Sequence, residues 1–305
     1  MKVYINRQPK VGPWGGGAKT VNKLSERLLN DGHTVVYQLQ EGIDAIFCFD
    51  PRPNAFGENV NHFYTYRKAF PGTKIIQRVG DVGTHGKPEL TDAVKRCLDK
   101  SDYFIFPSKW AMEYVNYSGE DHSVIYNCPM QEFYTNRNER THIPSTPRVV
   151  THHWSTNVRK GFDLYRKFDD FCNESGEFEF HYIGQVPRGC SFTNQSSPMS
   201  VQDLVTCLPD YDMYLTASEE EAGANHVLES LAVGLPVVYK DTGGSIPEYC
   251  IHGGLGYSDF SGMIDSLRAV RDEYPRYKKD CLDYKDTNDM VIDKYCDIIR
   301  RVHEG

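Results

Sequence analysis

Residues 218–249 read SEEEAGANHVLESLAVGLPVVYKDTGGSIPEY. The strand Met213-Tyr214-Leu215-Thr216 ends just before them, a loop of small residues follows, a helix starts near Asn225, and Pro236-Val237-Val238-Tyr239 is the next strand. Strand, loop, helix and strand in that order argue for parallel strands with a helix across one face. Working outward, the same alternation recurs. Toward the N-terminus come Glu179-Phe180-His181-Tyr182-Ile183 and Arg148-Val149-Val150-Thr151. A second series lies farther back: Val3-Tyr4-Ile5, Thr34-Val35-Val36-Tyr37, Ala45-Ile46-Phe47-Cys48-Phe49, Lys74-Ile75-Ile76-Gln77 and Tyr103-Phe104-Ile105-Phe106. Its first strand runs into the turn Gly12-Pro13-Trp14-Gly15-Gly16-Gly17 and a helix over about 18–30, with Val21, Leu24 and Leu28 at helical spacing.

Between the two series, TNRNERTHIPSTP at 135–147 is polar and lacks apolar periodicity, and it reads as a linker. The expected architecture is α/β: two doubly wound parallel-sheet domains, 1–140 and 148–286, facing across a cleft. A final helix over 287–305 carries the apolar stripe Met290, Ile292, Tyr295, Ile298, Ile299 and Val302, and is expected to pack back on the first domain. Sheets of this kind bind ligands beyond the carboxyl ends of their strands.

Composition narrows the function. A chain of 305 residues has room for two domains at roughly 150 residues each. Its 34 basic against 42 acidic residues leave a net charge of −8, the wrong sign for a nucleic-acid binder. No apolar run approaches the roughly 18 residues of a membrane span, and MKVYINRQPK has no signal-peptide apolar region. No basic amphipathic helix marks membrane docking either, which leaves at most weak peripheral association open. Nine cysteines without a CxxC pair are expected to be reduced thiols in a cytoplasmic protein, not a disulfide framework or zinc site.

The chemistry concentrates in the opening stretch. Glu221 sits in the loop and Glu229 inside the helix, eight positions on. Open backbone amides at a helix start favour an anion, and Gly223-Ala224 lets one approach closely. One carboxylate before the helix and one within it would hold hydroxyls on either side of a bound diphosphate, sugar on one side and ribose on the other. Taken alone, the pair also fits a carboxylate near a helix dipole and a solvated helix residue.

The flanking residues separate these readings. Glu221, Glu229, Gly234-Leu235-Pro236-Val237-Val238 and Gly243-Gly244 with Glu248 resemble the signature of retaining GT-B glycosyltransferases of family 4. The resemblance implies the GT-B fold of two Rossmann-like domains, an acceptor-side domain first and a nucleotide-sugar domain second. It also implies that Glu221 contacts the donor sugar hydroxyls and Glu229 the nucleotide ribose. The family usually has an aromatic residue and then Gly after the first Glu, where this chain has Gly223-Ala224. At the start of the second domain, VVTHHWSTNVRKGFDLYRKF places Lys160-Gly161 where the family has a basic residue and Gly at a helix start. Arg159 stands beside it as a second cation. A departing nucleoside diphosphate gains negative charge, so fixed cations and N–H dipoles there lower the barrier. The family's upstream Arg is missing; His152, His153 and Trp154 occupy that region.

The remaining matches are shorter. Gly15-Gly16-Gly17 would bring backbone to the donor phosphate or the acceptor, and the run does not fit GxGxxG, which disfavours a dinucleotide oxidoreductase. Ile183-Gly184 resembles the strand end beside the nucleotide base. The implied donor contacts are thus Gly15, Gly16, Gly17, Gly184, Gly223, Ala224, Asn225, His226, Val227 and Glu229, with Arg159, Lys160 and Glu221 as the catalytic set. Arg78, Asp81 and His85 follow a first-domain strand and would meet acceptor or sugar. Asp210-Tyr211-Asp212 has the DxD spacing of metal-dependent transferases, but Asp212 directly precedes a strand, where a structural Asp is expected. The expectation is a retaining, metal-independent glycosyltransferase without a cofactor, its partners a nucleotide-diphosphate sugar donor and a glycan, lipid-linked sugar or protein acceptor. The alternatives are a nucleotide-sugar epimerase with the same cleft, and a non-catalytic nucleotide- or glycan-binding protein on the same scaffold.

Overall fold

The computed structural model of the protein describes residues 1–10 and 16–305. The chain divides into two compact units, Met1–Asn127 with Asn288–Gly305, and Cys128–Thr287. In chain order the first unit contains β1 (Lys2–Ile5), α1 (Gly16–Asn30), β2 (Thr34–Val36), β3 (Ala45–Cys48), α2 (Val60–Ala69), β4 (Lys74–Arg78), α3 (Pro88–Lys95), β5 (Tyr103–Phe106), α4 (Lys109–Tyr114) and β6 (His122–Val124). Among the described residues its six strands are all parallel, in the order β2-β1-β3-β4-β5-β6. Strands covered on both faces read as continuous apolar runs, and β3 is buried at all four positions.

The second unit contains β7 (Arg148–His153), α5 (Phe162–Ser175), β8 (Glu179–Gly184), β9 (Asn194–Ser196), α6 (Val201–Cys207), β10 (Met213–Thr216), α7 (Asn225–Ala232), β11 (Val237–Lys240), α8 (Ile246–Tyr249), β12 (Gly254–Tyr257), α9 (Phe260–Asp272) and α10 (Tyr274–Asp283). Its sheet is also parallel throughout, ordered β12-β11-β10-β7-β8-β9. The chain therefore walks outward from β7 to β9 and then returns to β10 on the other side of β7. The crevice between the carboxyl ends of β7 and β10 is the topological switch point, where such sheets take their ligands. An aromatic core fixes this half: Tyr165 and Phe168 of α5 and Tyr182 of β8 are fully buried in it.

The last helix, α11 (Asn288–Glu304), packs along α1 and over β3 and β4, as its apolar stripe predicts. Tyr295, Ile298 and Ile299 are buried, and the Tyr295 ring lies 5.7 Å from that of Phe47. Val291 fills the inward position that Met290 was expected to take; Met290 itself is 43% exposed. Lys23 pairs with Asp289 at 2.5 Å, and Arg27 pairs with Asp293.

Segment 135–147 is built into the second unit. Asn138, 3% exposed, donates from Nδ2 to the Tyr211 carbonyl at 2.6 Å and from its amide to Val233 O at 2.8 Å. Polar side chains that satisfy backbone carbonyls, not apolar periodicity, hold this stretch. Lys278 of α10 completes the lock. It is 1% exposed, and its Nζ donates to Asn138 O at 3.0 Å and to Gly234 O. Burial lowers its pKa to about 8.

Candidate active site

The site grows from the end of β7. His153 lies opposite Gly184 in register. Gly184 has φ +136°, and a Cβ there would stand 1.9 Å from His153 O, so only glycine lets β8 end this close to its neighbour. The preceding residue, His152, is held on both sides: its amide donates to Tyr214 Oη at 3.1 Å, and its ring meets the Tyr214 ring edge-on at 5.4 Å. From that position Nε2 lies 3.0 Å from Glu229 Oε2 on α7.

Beyond β7, Asn157 caps a 3₁₀ turn, Val158–Lys160, by accepting from the Arg159 amide at 2.9 Å. Gly161 ends the turn at φ +80°; a Cβ there would come 2.5 Å from Ala217 O. Glycine thus lets the Arg159-Lys160 turn lie against the end of β10, where Glu219 N donates to Arg159 O at 2.9 Å. Underneath, Tyr165 Oη accepts from Ala217 N at 2.8 Å and lies 2.8 Å from His153 Nε2; burial pushes its phenol up to about 12.

Three consecutive carboxylates then take three separate cations. Glu219 pairs with Lys240, Glu220 with Arg159 at 2.6 Å, and Glu221 with Lys160. These pairs differ in weight. The Arg159 and Glu220 side chains are 39% and 36% exposed, so their pair contributes about 1 kcal/mol or less. Lys160 and Glu221 are only 11% and 13% exposed, where losing one partner strands the other charge away from water. Glu220 adopts φ +50°, a left-handed conformation that costs a non-glycine residue about 1–2 kcal/mol. The backbone here is strapped to the glycine loop: Glu220 N donates to Thr242 O, Glu221 N to Gly243 O, and Ser245 N to Glu221 O at 2.8 Å. A Cβ on Gly244 would stand 2.5 Å from Glu221 O, which explains the Gly243-Gly244 pair.

Helix α7 closes the site. Ala224, at its cap, has no side-chain oxygen for the first amides. His226 Nε2 is 3.2 Å from Thr216 Oγ1, and its ring stands 4.9 Å from that of His153. Ala224 and Val227 are buried, so they contribute backbone here. Three buried polar atoms around these loops lack hydrogen-bond partners: Ser218 Oγ, Ser245 Oγ and His152 Nδ1.

The second unit therefore draws Arg159, Lys160, Gly184, Glu221, the 223–227 segment and Glu229 to one switch point. The other expected residues lie in the first unit. Gly15 falls outside the described residues; Gly16 opens α1, and a Cβ on Gly17 would stand 3.8 Å from Phe49. Arg78 is 7% exposed, donates from Nε to Tyr295 Oη at 3.3 Å and lies over the Phe49 ring at 4.6 Å. Asp81 accepts from Gly83 N and Lys87 Nζ, both at 2.9 Å; burial alone would raise its pKa, but these donors hold it below the usual carboxylate range. His85 sits in the same loop, before α3. At the first sheet's own switch point, Asp50 takes Arg7 at 3.1 Å and Arg52 at 2.8 Å, beside a cavity of about 340 Å³ lined by Pro51, Arg52, Glu89 and Arg96.

Asp212 is fully buried, with Oδ2 accepting from Arg148 N at 2.8 Å, as a structural residue before β10. Among the described residues, no group of three or more His, Cys, Asp or Glu is arranged to hold a metal ion. Sequence reasoning missed the roles of His152, Lys240 and Tyr165. Adjacent His152-His153 at a strand end is a visible signal, but the partner of His152 is 77 residues away.

Solved structures share this architecture along the whole chain. A sucrose-phosphate synthase from Thermosynechococcus elongatus is similar over 99% of this chain and 98% of its own, with a TM-score of 0.69 and 13% identity. WaaG, a glycosyltransferase involved in lipopolysaccharide biosynthesis, is similar over 98% and 99%, with a TM-score of 0.67 and 14% identity. The pneumococcal O-GlcNAc transferase GtfA, solved with UDP and GlcNAc, matches over 95% of this chain and 60% of its own, with a TM-score of 0.61 and 12% identity. The likeness is one of fold: the protein has the two-domain GT-B architecture of these glycosyltransferases. No protein-family model and no curated protein matches the sequence.

Proposed function

We propose that the protein is a glycosyltransferase that moves a sugar from a nucleotide-diphosphate donor to a hydroxyl acceptor with retention of configuration. The observation that carries the reading is the meeting of Lys160 with Glu221 beside the start of α7, at the switch point of the second sheet. The donor diphosphate lies against Arg159, Lys160 and the first amides of α7. Glu221 receives the donor sugar hydroxyls and Glu229 those of the ribose. As the bond to the sugar lengthens, negative charge grows on the departing phosphate oxygen, and Lys160 and Arg159 stabilise it. That oxygen takes the acceptor's proton while the acceptor attacks from the same face, so no carboxylate nucleophile is required. The acceptor is a glycan, a lipid-linked sugar or a protein, and the reaction uses no metal. We place it in the cytoplasm, where the nine cysteines stay reduced. Among the described residues, no helix is long and apolar enough to cross a membrane.

A thermal-shift screen with UDP, GDP, ADP and dTDP and their sugar conjugates tests the reading, because a ligand that binds only the folded state raises Tm. One nucleotide family should raise it, and Glu229→Ala should reduce that rise. Product analysis then separates transfer from epimerisation. Wild-type turnover in both Lys160→Ala and Glu229→Ala would refute the assignment.

A further inference from the structure

The strongest unassigned contact around the site is His152. It is 7% exposed, its backbone and ring are both fixed by Tyr214, and a second ring, His226, stands edge-on to it at 6.2 Å. A side chain so enclosed has little rotational freedom. Its Nε2 lies 3.0 Å from Glu229 Oε2, and a carboxylate only accepts, so Nε2 carries the hydrogen. The Glu229 side chain is 22% exposed, open enough to swing toward water without that bond. With Oε2 engaged, Oε1 is the oxygen that an incoming hydroxyl approaches. The opposite ring nitrogen, Nδ1, is buried without a hydrogen-bond partner. A buried polar atom left unpaired costs free energy, so stability alone does not account for a histidine here.

We propose that His152 is a positioning residue that fixes Glu229 in the rotamer able to accept from a ribose hydroxyl, and so makes the site selective for ribonucleoside over 2′-deoxyribonucleoside diphosphates. This rests on Glu229 being the ribose contact. A hydrogen bond from a hydroxyl to a fixed carboxylate is expected to give about tenfold discrimination.

The test measures Kd by titration calorimetry for UDP, ADP and GDP, each against its 2′-deoxy counterpart, on the full chain. Wild type should prefer the ribose form of its nucleotide by about tenfold. His152→Phe keeps the ring packing but removes the donor; it should narrow the preference to about twofold by weakening the ribose form, with the 2′-deoxy form unchanged. His152→Gln, whose amide reaches about as far as Nε2, should restore the preference. Equal loss of affinity for both forms, or full preference in His152→Phe, would overturn the positioning role while leaving Glu229 as the ribose contact. Absence of preference in the wild type would overturn both. Should His152→Phe not fold, His152→Gln against the shorter His152→Asn makes the same comparison, with preference expected only in the former.

Discussion

The two sheets have parallel strands and a switch point each, yet they fill those crevices differently. In the first unit one carboxylate, Asp50, is shared by Arg7 and Arg52, and Asn6, 1% exposed, accepts from Phe49 N and donates to Asp50 O. Burial would raise the pKa of Asp50, but the Arg52 side chain and amide together with Arg7 hold it low, so the cluster satisfies itself. In the second unit, Lys160 and Glu221 are paired in near-burial, Glu220 is held left-handed, and three buried polar atoms around the loops go unpaired. Strain and unsatisfied groups persist where the surroundings enforce them, and they gather at working sites. The contrast fits the proposed placement of the donor chemistry in the second crevice, although the first unit has an unpaired buried atom of its own in Gln77 Oε1.

The most severe test of that contrast sets Lys160→Ala against Arg52→Ala. Release of nucleoside diphosphate from the donor should slow about 10²- to 10³-fold in the first and less than about threefold in the second. Equal losses would erase the distinction. Next comes the backbone. Gly161→Ala introduces a Cβ 2.5 Å from Ala217 at φ +80° and should destabilise the second unit on the order of 3 kcal/mol in urea unfolding.

pH sharpens the comparison further, since the second unit contains Lys278. Its folded value of about 8 lies below the ordinary 10.5, so between these values the unfolded chain binds more protons. Stability from this group is therefore complete above pH 10.5 and is lost as pH falls through about 8. From pH 8 to 10 the calorimetric transition of the second unit should gain on the order of 2 kcal/mol, and Lys278→Met should flatten that slope. The smallest effect concerns Glu220. Glu220→Gly releases Arg159 and the left-handed strain together, and should tighten binding of the nucleoside diphosphate that the thermal-shift screen selects by up to about fivefold.

Much of this was legible in the sequence, for identifiable reasons. Strands covered on both faces announce themselves as apolar runs, so the alternation behind both sheets could be read directly. Lys160, Glu221 and Glu229 were singled out through their resemblance to a family signature, and the structure brings Lys160 and Glu221 together as an ion pair beside the helix that presents Glu229. Arg78 shows where such reading stops: it ends β4, and its partner Tyr295 is 217 residues along the chain, beyond the reach of any local pattern. The pairing of His152 with Glu229 could not be read for the same reason, as nothing local links the two. The left-handed Glu220 arises from the strap between the 219–221 loop and Thr242-Gly243, a pairing that no single segment encodes.

The return of α11 to the first unit carries a consequence for synthesis. The chain leaves that unit at Asn127 and re-enters it at Asn288, so residues 128–287 emerge from the ribosome in between. The half that starts second can finish first. Until Tyr295 arrives, Phe47 and Arg78 wait without the ring and hydroxyl that cover them, and a nascent chain stalled before Asn288 should present that apolar surface to chaperones.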